Sequence, residues 1–207
     1  MKTVLVAGAT GYLGRHIVRQ YMSLGWQVRA LARNAQSARA AGLEAAEIFE
    51  GDATNRLSLC GAMDGVDLVI SSLGITRQRD GLSYWDVDFQ ANLNLLTNAL
   101  ESGVARFAYT HVFNAERMKG VPLVDAKQAF VDRLTASPIP STVVAPTGFF
   151  SDMADVLAMA KAGRTWVFGD GRRQVNPIHG ADLADAIAQA IWEERSYLAV
   201  GGPDVFT

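Results

Sequence analysis

Thr3-Val4-Leu5-Val6-Ala7-Gly8-Ala9-Thr10-Gly11-Tyr12-Leu13-Gly14 is the stretch that decides how this chain folds. Its first five residues are β-branched or apolar and run into a glycine, which reads as a buried strand. Tyr12 to Leu24 then carries helical spacing, so strand, tight turn and helix follow directly. Each glycine has a physical task in such a turn. The first lets the chain reverse, the second lets backbone approach a pyrophosphate, and the third lets the helix sit close on the strand; unpaired N–H groups at the helix start attract the anion. The spacing GxxGxxG is one residue longer than the commonest dinucleotide pattern, but its place after the first strand is the context that pattern requires. A merely tight strand-to-helix turn is the bland alternative. No Gly-Lys pair with a following Ser or Thr is present, which leaves a nucleoside triphosphate loop unsupported.

Outward from this unit the alternation continues. Strands are expected at Gln27 to Ala32, Ala46 to Glu50, Val66 to Leu73, Val104 to Phe113, Ser141 to Ala145 and Leu198 to Val200. Helices are expected at Ala35 to Ala41, Leu57 to Met63, Tyr84 to Glu101, Leu123 to Ala136, Asp152 to Ala162 and Ala181 to Glu194. In the long helix Phe89, Leu93, Leu96 and Leu100 form one apolar stripe. The fold class is therefore α/β, a Rossmann-type doubly wound parallel sheet with helices on both faces in a single domain, and ligands belong just beyond the carboxyl ends of the strands.

That rule directs attention to Arg33, which ends the second strand where an NAD site usually places an acidic residue. A guanidinium there suits a 2'-phosphate, so the chain leans toward NADP over NAD; a solvated surface arginine is the alternative. Asp52 and Ala53 close the third strand. Asp52 either contacts adenine or caps the helix that begins near Asn55.

The whole composition is ordinary for a globular chain of 207 residues, with 49% hydrophobic and 19% charged residues, which excludes collagen-like, coiled-coil and disordered classes. A net charge of -2 offers no field for nucleic acid or an anionic membrane. Cys60, the only cysteine, permits no internal disulfide and suits a reducing compartment, with the cytosol as the default. No stretch reads as a signal peptide or a membrane span, so the expectation is a soluble protein, unprocessed at its start.

The glycine turn, Gly51-Asp52, Ser71-Ser72-Leu73-Gly74, Val87-Asp88-Phe89-Gln90-Ala91-Asn92, Pro146-Thr147-Gly148-Phe149-Phe150 and Asn176 to Ala184 together resemble the atypical short-chain dehydrogenase/reductases, especially NmrA-like and isoflavone-reductase-like NAD(P)-binding proteins. The resemblance implies cofactor contacts at Gly8, Thr10, Gly11, Tyr12, Leu13, Gly14, Arg33, Asp52, Ala53, Ser72, Leu73, Gly74, Lys127, Pro146, Thr147, Gly148 and Phe149. The nicotinamide belongs beside Ser72 to Gly74 and Pro146 to Phe149. Extended relatives continue beyond the segment matching Gly201 to Thr207, so the resemblance implies a small substrate-side region at about 147–207 here.

Lys127 shares a helical face with Leu123, Phe130, Val131 and Leu134, an ammonium in the middle of an apolar stripe. The resemblance matches it to the lysine of the family's YxxxK, with Leu123 where the tyrosine belongs and His111 where the family's serine belongs. Two of the three usual catalytic groups are thus replaced. Relatives of the isoflavone-reductase type use a lysine without that tyrosine, so Lys127 and His111 are the candidate catalytic residues, Lys127 with a pKa lowered by burial. The alternatives are a Lys127 that only holds ribose hydroxyls, or snorkels to solvent, and a satisfied core His111. His179 reads as a helix cap, and neither it nor His16 suggests a metal. Tyr84 and Trp85, after the loop Thr76 to Gly81, either edge a substrate mouth or anchor the long helix, and Phe149-Phe150 either line a pocket or sit in the core.

The leading functional expectation is NADPH-dependent reduction of a small carbonyl, enone or quinone. A non-catalytic NAD(P)-sensing regulator and an assembly or scaffold factor are the alternatives. The intact glycine turn and Arg33 count against the last. The expected partners are a small-molecule substrate or a protein, with a homodimer left open.

Overall fold

A computed structural model of the chain describes residues 1–75, 81–165, 170 and 172–207. The strands are β1 (Thr3–Ala7), β2 (Gln27–Ala32), β3 (Glu47–Glu50), β4 (Leu68–Ser71), β5 (Arg106–Thr110), β6 (Ser141–Pro146) and β7 (Tyr197–Val200). All pair in parallel, in the spatial order β3-β2-β1-β4-β5-β6-β7. The helices are α1 (Tyr12–Ser23), α2 (Ala35–Ala40), α3 (Asn92–Glu101), α4 (Pro122–Thr135), α5 (Phe150–Lys161) and α6 (Gly180–Trp192). This is the Rossmann-type doubly wound sheet that the alternation implies.

Side chains along a strand alternate between faces, and here they feed two cores. Val4, Val6, Ile70 and Val144 meet Ile17, Val18, Leu183 and Ile187 of α1 and α6 on one face. Leu5, Val69, Phe107 and Val143 meet Leu95, Leu96, Phe130 and Leu134 of α3 and α4 on the other. Both faces being covered, the central strands are apolar at nearly every position.

Three expectations are corrected. The helix expected over 57–63 is only a 3-10 turn at Arg56–Leu59, because Gly61 and Gly65 follow at φ +78 and +68. The strand expected over 104–113 is shorter, Arg106–Thr110, and pairs on both sides at residues 107–109; beyond it, the N–H groups of His111 and Phe113 still bond to Val144 and Pro146 while β4 has ended. The helix expected over 84–101 is a π-turned segment, Trp85–Ala91, running into α3. A π turn holds more residues than an α turn and rotates everything after it. The buried stripe is consequently Ala91, Leu95, Leu96 and Ala99, and Leu100 is exposed.

Candidate dinucleotide site

Strand order reverses between β1 and β4, and ligands of open parallel sheets sit beyond the strand ends at such a point. Two cavities open there, of about 670 and about 250 Å³, and they share Gly8, Gly11, Ser72, Gly74 and Ile75, so they form one trough.

The turn at its centre is built by contact distances. Gly8 takes φ +81, and a Cβ on it would stand 2.7 Å from Ser72 Oγ. Gly14 is pressed against the turn, its Cβ position 2.0 Å from the Gly8 carbonyl oxygen. Gly11 has 3.2 Å to the same oxygen and faces both cavities. Gly11 provides no side-chain cap for α1, whose first turn carries no acidic residue, so the amides of Tyr12, Leu13 and Gly14 are left for an anion. A glycine-rich surface at an uncapped helix start fits a pyrophosphate.

The smaller cavity is lined by Thr10, Arg33, Asp52, Ala53 and Leu73. Asp52 Oδ1 accepts from the N–H and hydroxyl of Thr54 at 2.9 and 2.8 Å. Capping of the 3-10 turn falls to Asn55, whose side chain accepts from the Leu57 N–H, so the capping role considered for Asp52 is corrected.

The larger cavity is lined by Tyr12, Leu13, Gly14, His111, Leu123, Lys127, Pro146, Thr147, Gly148 and Phe149. Lys127 does not snorkel. Its ammonium is enclosed by Asp88 Oδ1 at 3.2 Å, the Thr110 carbonyl at 3.2 Å, the Tyr109 hydroxyl at 3.4 Å and the Leu73 carbonyl at 3.5 Å. Burial works to lower its pKa, but Tyr109 and Asp88 together overcome burial and hold it above the ordinary lysine range, which reverses the expected direction. Burial pushes the Asp88 carboxyl upward against the pull of Lys127. The 3.2 Å approach is an ion pair without hydrogen-bond alignment, and among the described residues Oδ1 has no hydrogen-bond partner, while Oδ2 accepts from the Ile75 N–H at 3.3 Å.

Asp88 and Tyr109 are the functional candidates that residue patterns missed. The signal for Asp88 was a carboxylate among the apolar positions of a helix; Tyr109 reads as one more strand residue. Asn92 holds the π-turned segment: its amide donates to the carbonyls of Val87 and Asp88, and its Oδ1 accepts from Ser71 Oγ at 2.5 Å.

His111 is 4% exposed. Gln128 donates to Asp132 Oδ1 at 2.8 Å, which turns its carbonyl oxygen toward His111 Nε2 at 3.1 Å. The proton therefore sits on Nε2, and Nδ1 is bare, buried and, among the described residues, without a hydrogen-bond partner. Burial keeps His111 below the ordinary histidine range, with the Gln128 hydrogen bond opposing. His179 caps α6, its Nδ1 accepting from the Ala181 N–H at 3.2 Å, as its position suggests. The Tyr12 hydroxyl accepts from the Gly180 N–H at 3.0 Å and ties the glycine turn to that cap. Tyr84 and Trp85 line neither cavity; Trp85 meets Phe89 edge-on, and residues 76–80 of the preceding loop lie outside the described residues. Phe149 lines the cavity, whereas Phe150 is exposed and meets Phe206.

The sheet order and the glycine trough define a protein of the Rossmann class. A family model described as the NmrA-like family matches residues 1–198, and the chain belongs to that family. The divinyl chlorophyllide a 8-vinyl-reductase of Zea mays, a chloroplastic protein, is 32% identical over 97% of this chain and 55% of its own length. A photosystem II assembly factor, Ycf39 of Cyanophora paradoxa, is 31% identical over 73% of this chain and 47% of its own. The chain thus spans about half the length of the curated relatives it matches. Among solved structures, an NADPH-dependent quinone oxidoreductase of Escherichia coli complexed with NADPH superposes with a TM-score of 0.79 over 99% of this chain and 71% of its own at 22% identity, a likeness of fold. Among the described residues no helix is long and apolar enough to cross a membrane.

Proposed function

We propose that this chain is an NAD(P)H-dependent reductase of a small, uncharged conjugated acceptor such as an enone or quinone, with NADPH preferred. The observation that carries this is the continuous trough from Arg33 and Asp52, across the glycine turn, to Lys127 and His111. Arg33 binds the 2'-phosphate, Gly11 and the free amides of α1 take the pyrophosphate, and Ser72 to Gly74 with Pro146 to Phe149 border the nicotinamide. A bound reduced nicotinamide supplies the hydride. Lys127 is the one cation among the described residues lining the larger cavity, where Val112, Phe113, Met118, Leu123 and Val175 are apolar. That balance suits a neutral acceptor over a phosphorylated one. Residues 147–207 supply the substrate side through Thr147, Ser151, Asp152 and Asn176. The reductase and quinone oxidoreductase names among its likenesses agree with this reading. The single exposed thiol at Cys60 suits a reducing compartment such as the cytosol.

A second reading, a dinucleotide-responsive partner of an assembly process, is favoured by Leu123, which presents hydrocarbon where the resemblance calls for a tyrosine, and by the likeness to assembly factors. Calorimetric titration with NADPH, NADP+, NADH and NAD+ tests both. NADPH should bind most tightly, Arg33→Glu should remove that preference, and NADPH should then be consumed in the presence of a quinone or enone. Binding without consumption across such acceptors favours the second reading; absence of binding overturns both.

A further inference from the structure

The buried carboxylate of Asp88 takes no direct part in the reading above, yet everything around it is arranged to bring it to Lys127. Asp88 is fully buried, lies in the π-turned segment, and has one oxygen tied to the Ile75 N–H. Among the described residues, its other oxygen has the Lys127 ammonium beside it and no hydrogen-bond donor aligned on it. Gly74 makes room for the pair: a Cβ there would stand 2.6 Å from Asp88 Oδ1 and 3.0 Å from Lys127 Nζ. Asn92 stabilises the wide turn by donating to the carbonyls of Val87 and Asp88. A carboxylate taken fully out of water is costly unless it is paired, so a segment built to place one against a buried ammonium implies a use for its charge.

We propose that Asp88 is the positioning residue of this site, fixing Lys127 as a permanent cation in the wall of the larger cavity, where it serves as a hydrogen-bond donor and not as a base. The remaining groups around the ammonium agree. The carbonyls of Leu73 and Thr110 accept but cannot take its charge, and Tyr109, whose ring lies 5.1 Å from Nζ, faces it from β5. Among the described residues, Tyr109 and Asp88 are the titratable groups that act on Lys127, from β5 and the π-turned segment, and His111 feels Lys127 in turn. The two longest contacts, to Tyr109 and the Leu73 carbonyl at 3.4 and 3.5 Å, are the ones a ligand oxygen would replace. The pair with Asp88 stays.

The test reads the charge directly. The chain has four lysines, Lys2, Lys119, Lys127 and Lys161, so protein carrying carbon-13 at lysine Cε gives four signals, and Lys127→Arg identifies the relevant one. In the wild-type chain the Lys127 signal should stay in its ammonium position at least as far up in pH as the other three. In Asp88→Asn, burial acts unopposed by that carboxylate, and the signal should titrate at least about one pH unit below the others. A wild-type Lys127 that titrates below the other lysines overturns the proposal whether or not the variant folds. So does a folded Asp88→Asn in which Lys127 keeps its wild-type titration. A second arm rests on the proposed function: between about pH 7 and about pH 10, NADPH affinity should change less than about twofold through Lys127 in the wild type, and should fall at least about threefold in Asp88→Asn. A wild-type chain that binds no dinucleotide removes the function proposed above and leaves the Asp88 assignment to the lysine signal.

Discussion

Gly14 lies against Gly8 so closely that a methyl group on it would meet the Gly8 carbonyl oxygen at 2.0 Å. Backbone is on both sides of this contact, so no side chain can give way. Gly14→Ala should destabilise the fold by about 3 kcal/mol or more, read as a lowered urea midpoint. Gly11→Ala is the contrast: with 3.2 Å of clearance and φ -75, it should stay within about 1 kcal/mol of wild type yet lose NADPH binding by calorimetry.

Asn92 satisfies three buried groups at once: the Ser71 hydroxyl and the carbonyls of Val87 and Asp88. Asn92→Leu removes all three bonds and should cost about 2–4 kcal/mol in urea unfolding. Because the π-turned segment carries Asp88, the same variant should also move the Lys127 signal toward that of Asp88→Asn.

Histidine titration should give stability a pH slope below neutrality. Burial holds His111 below its ordinary value of 6.5 in the fold, and His16 is lowered by burial, His179 and Arg19. Unfolded chains then bind more protons than folded ones below about pH 6.5, so the stability held by these groups is complete above that pH and is lost as pH falls. Urea midpoints measured between about pH 5 and 7.5 should decline toward acid, and His111→Asn should flatten the slope without removing the part due to His16.

Asn114 borders the larger cavity with φ 55, in the left-handed region where its short polar side chain is tolerated. Asn114→Gly should leave thermal stability nearly unchanged, whereas the β-branched Asn114→Val should lower it by roughly 1–3 kcal/mol.

The legible part of the candidate site was its glycine turn. The spacing of Gly8, Gly11 and Gly14 after the first strand marks the close backbone contacts that the structure shows, and Arg33 and Asp52 follow from strand ends that hydrophobic pattern locates within a residue or two. Lys127 was legible as an anomaly, a charge on an apolar face, but not its partners. The reading of its electrostatics went the wrong way because burial is visible in a helical pattern while a counter-charge from another element is not. The stripe in the long helix failed for a related reason: the 3.6-residue period assumes one kind of turn throughout, and Asn92 stabilises another.

Sequence by itself determined the order of strands and helices, the two-faced sheet and the turn that would receive a dinucleotide, since each depends on residues a few positions apart and on periods of two or 3.6. Tertiary structure alone decided which groups surround Lys127. Leu73, Asp88 and Tyr109 come from a loop, a π-turned segment and a central strand, and only parallel pairing of β4 beside β5, with α4 and the π-turned segment over the same face, brings their oxygens within 3.5 Å of one ammonium.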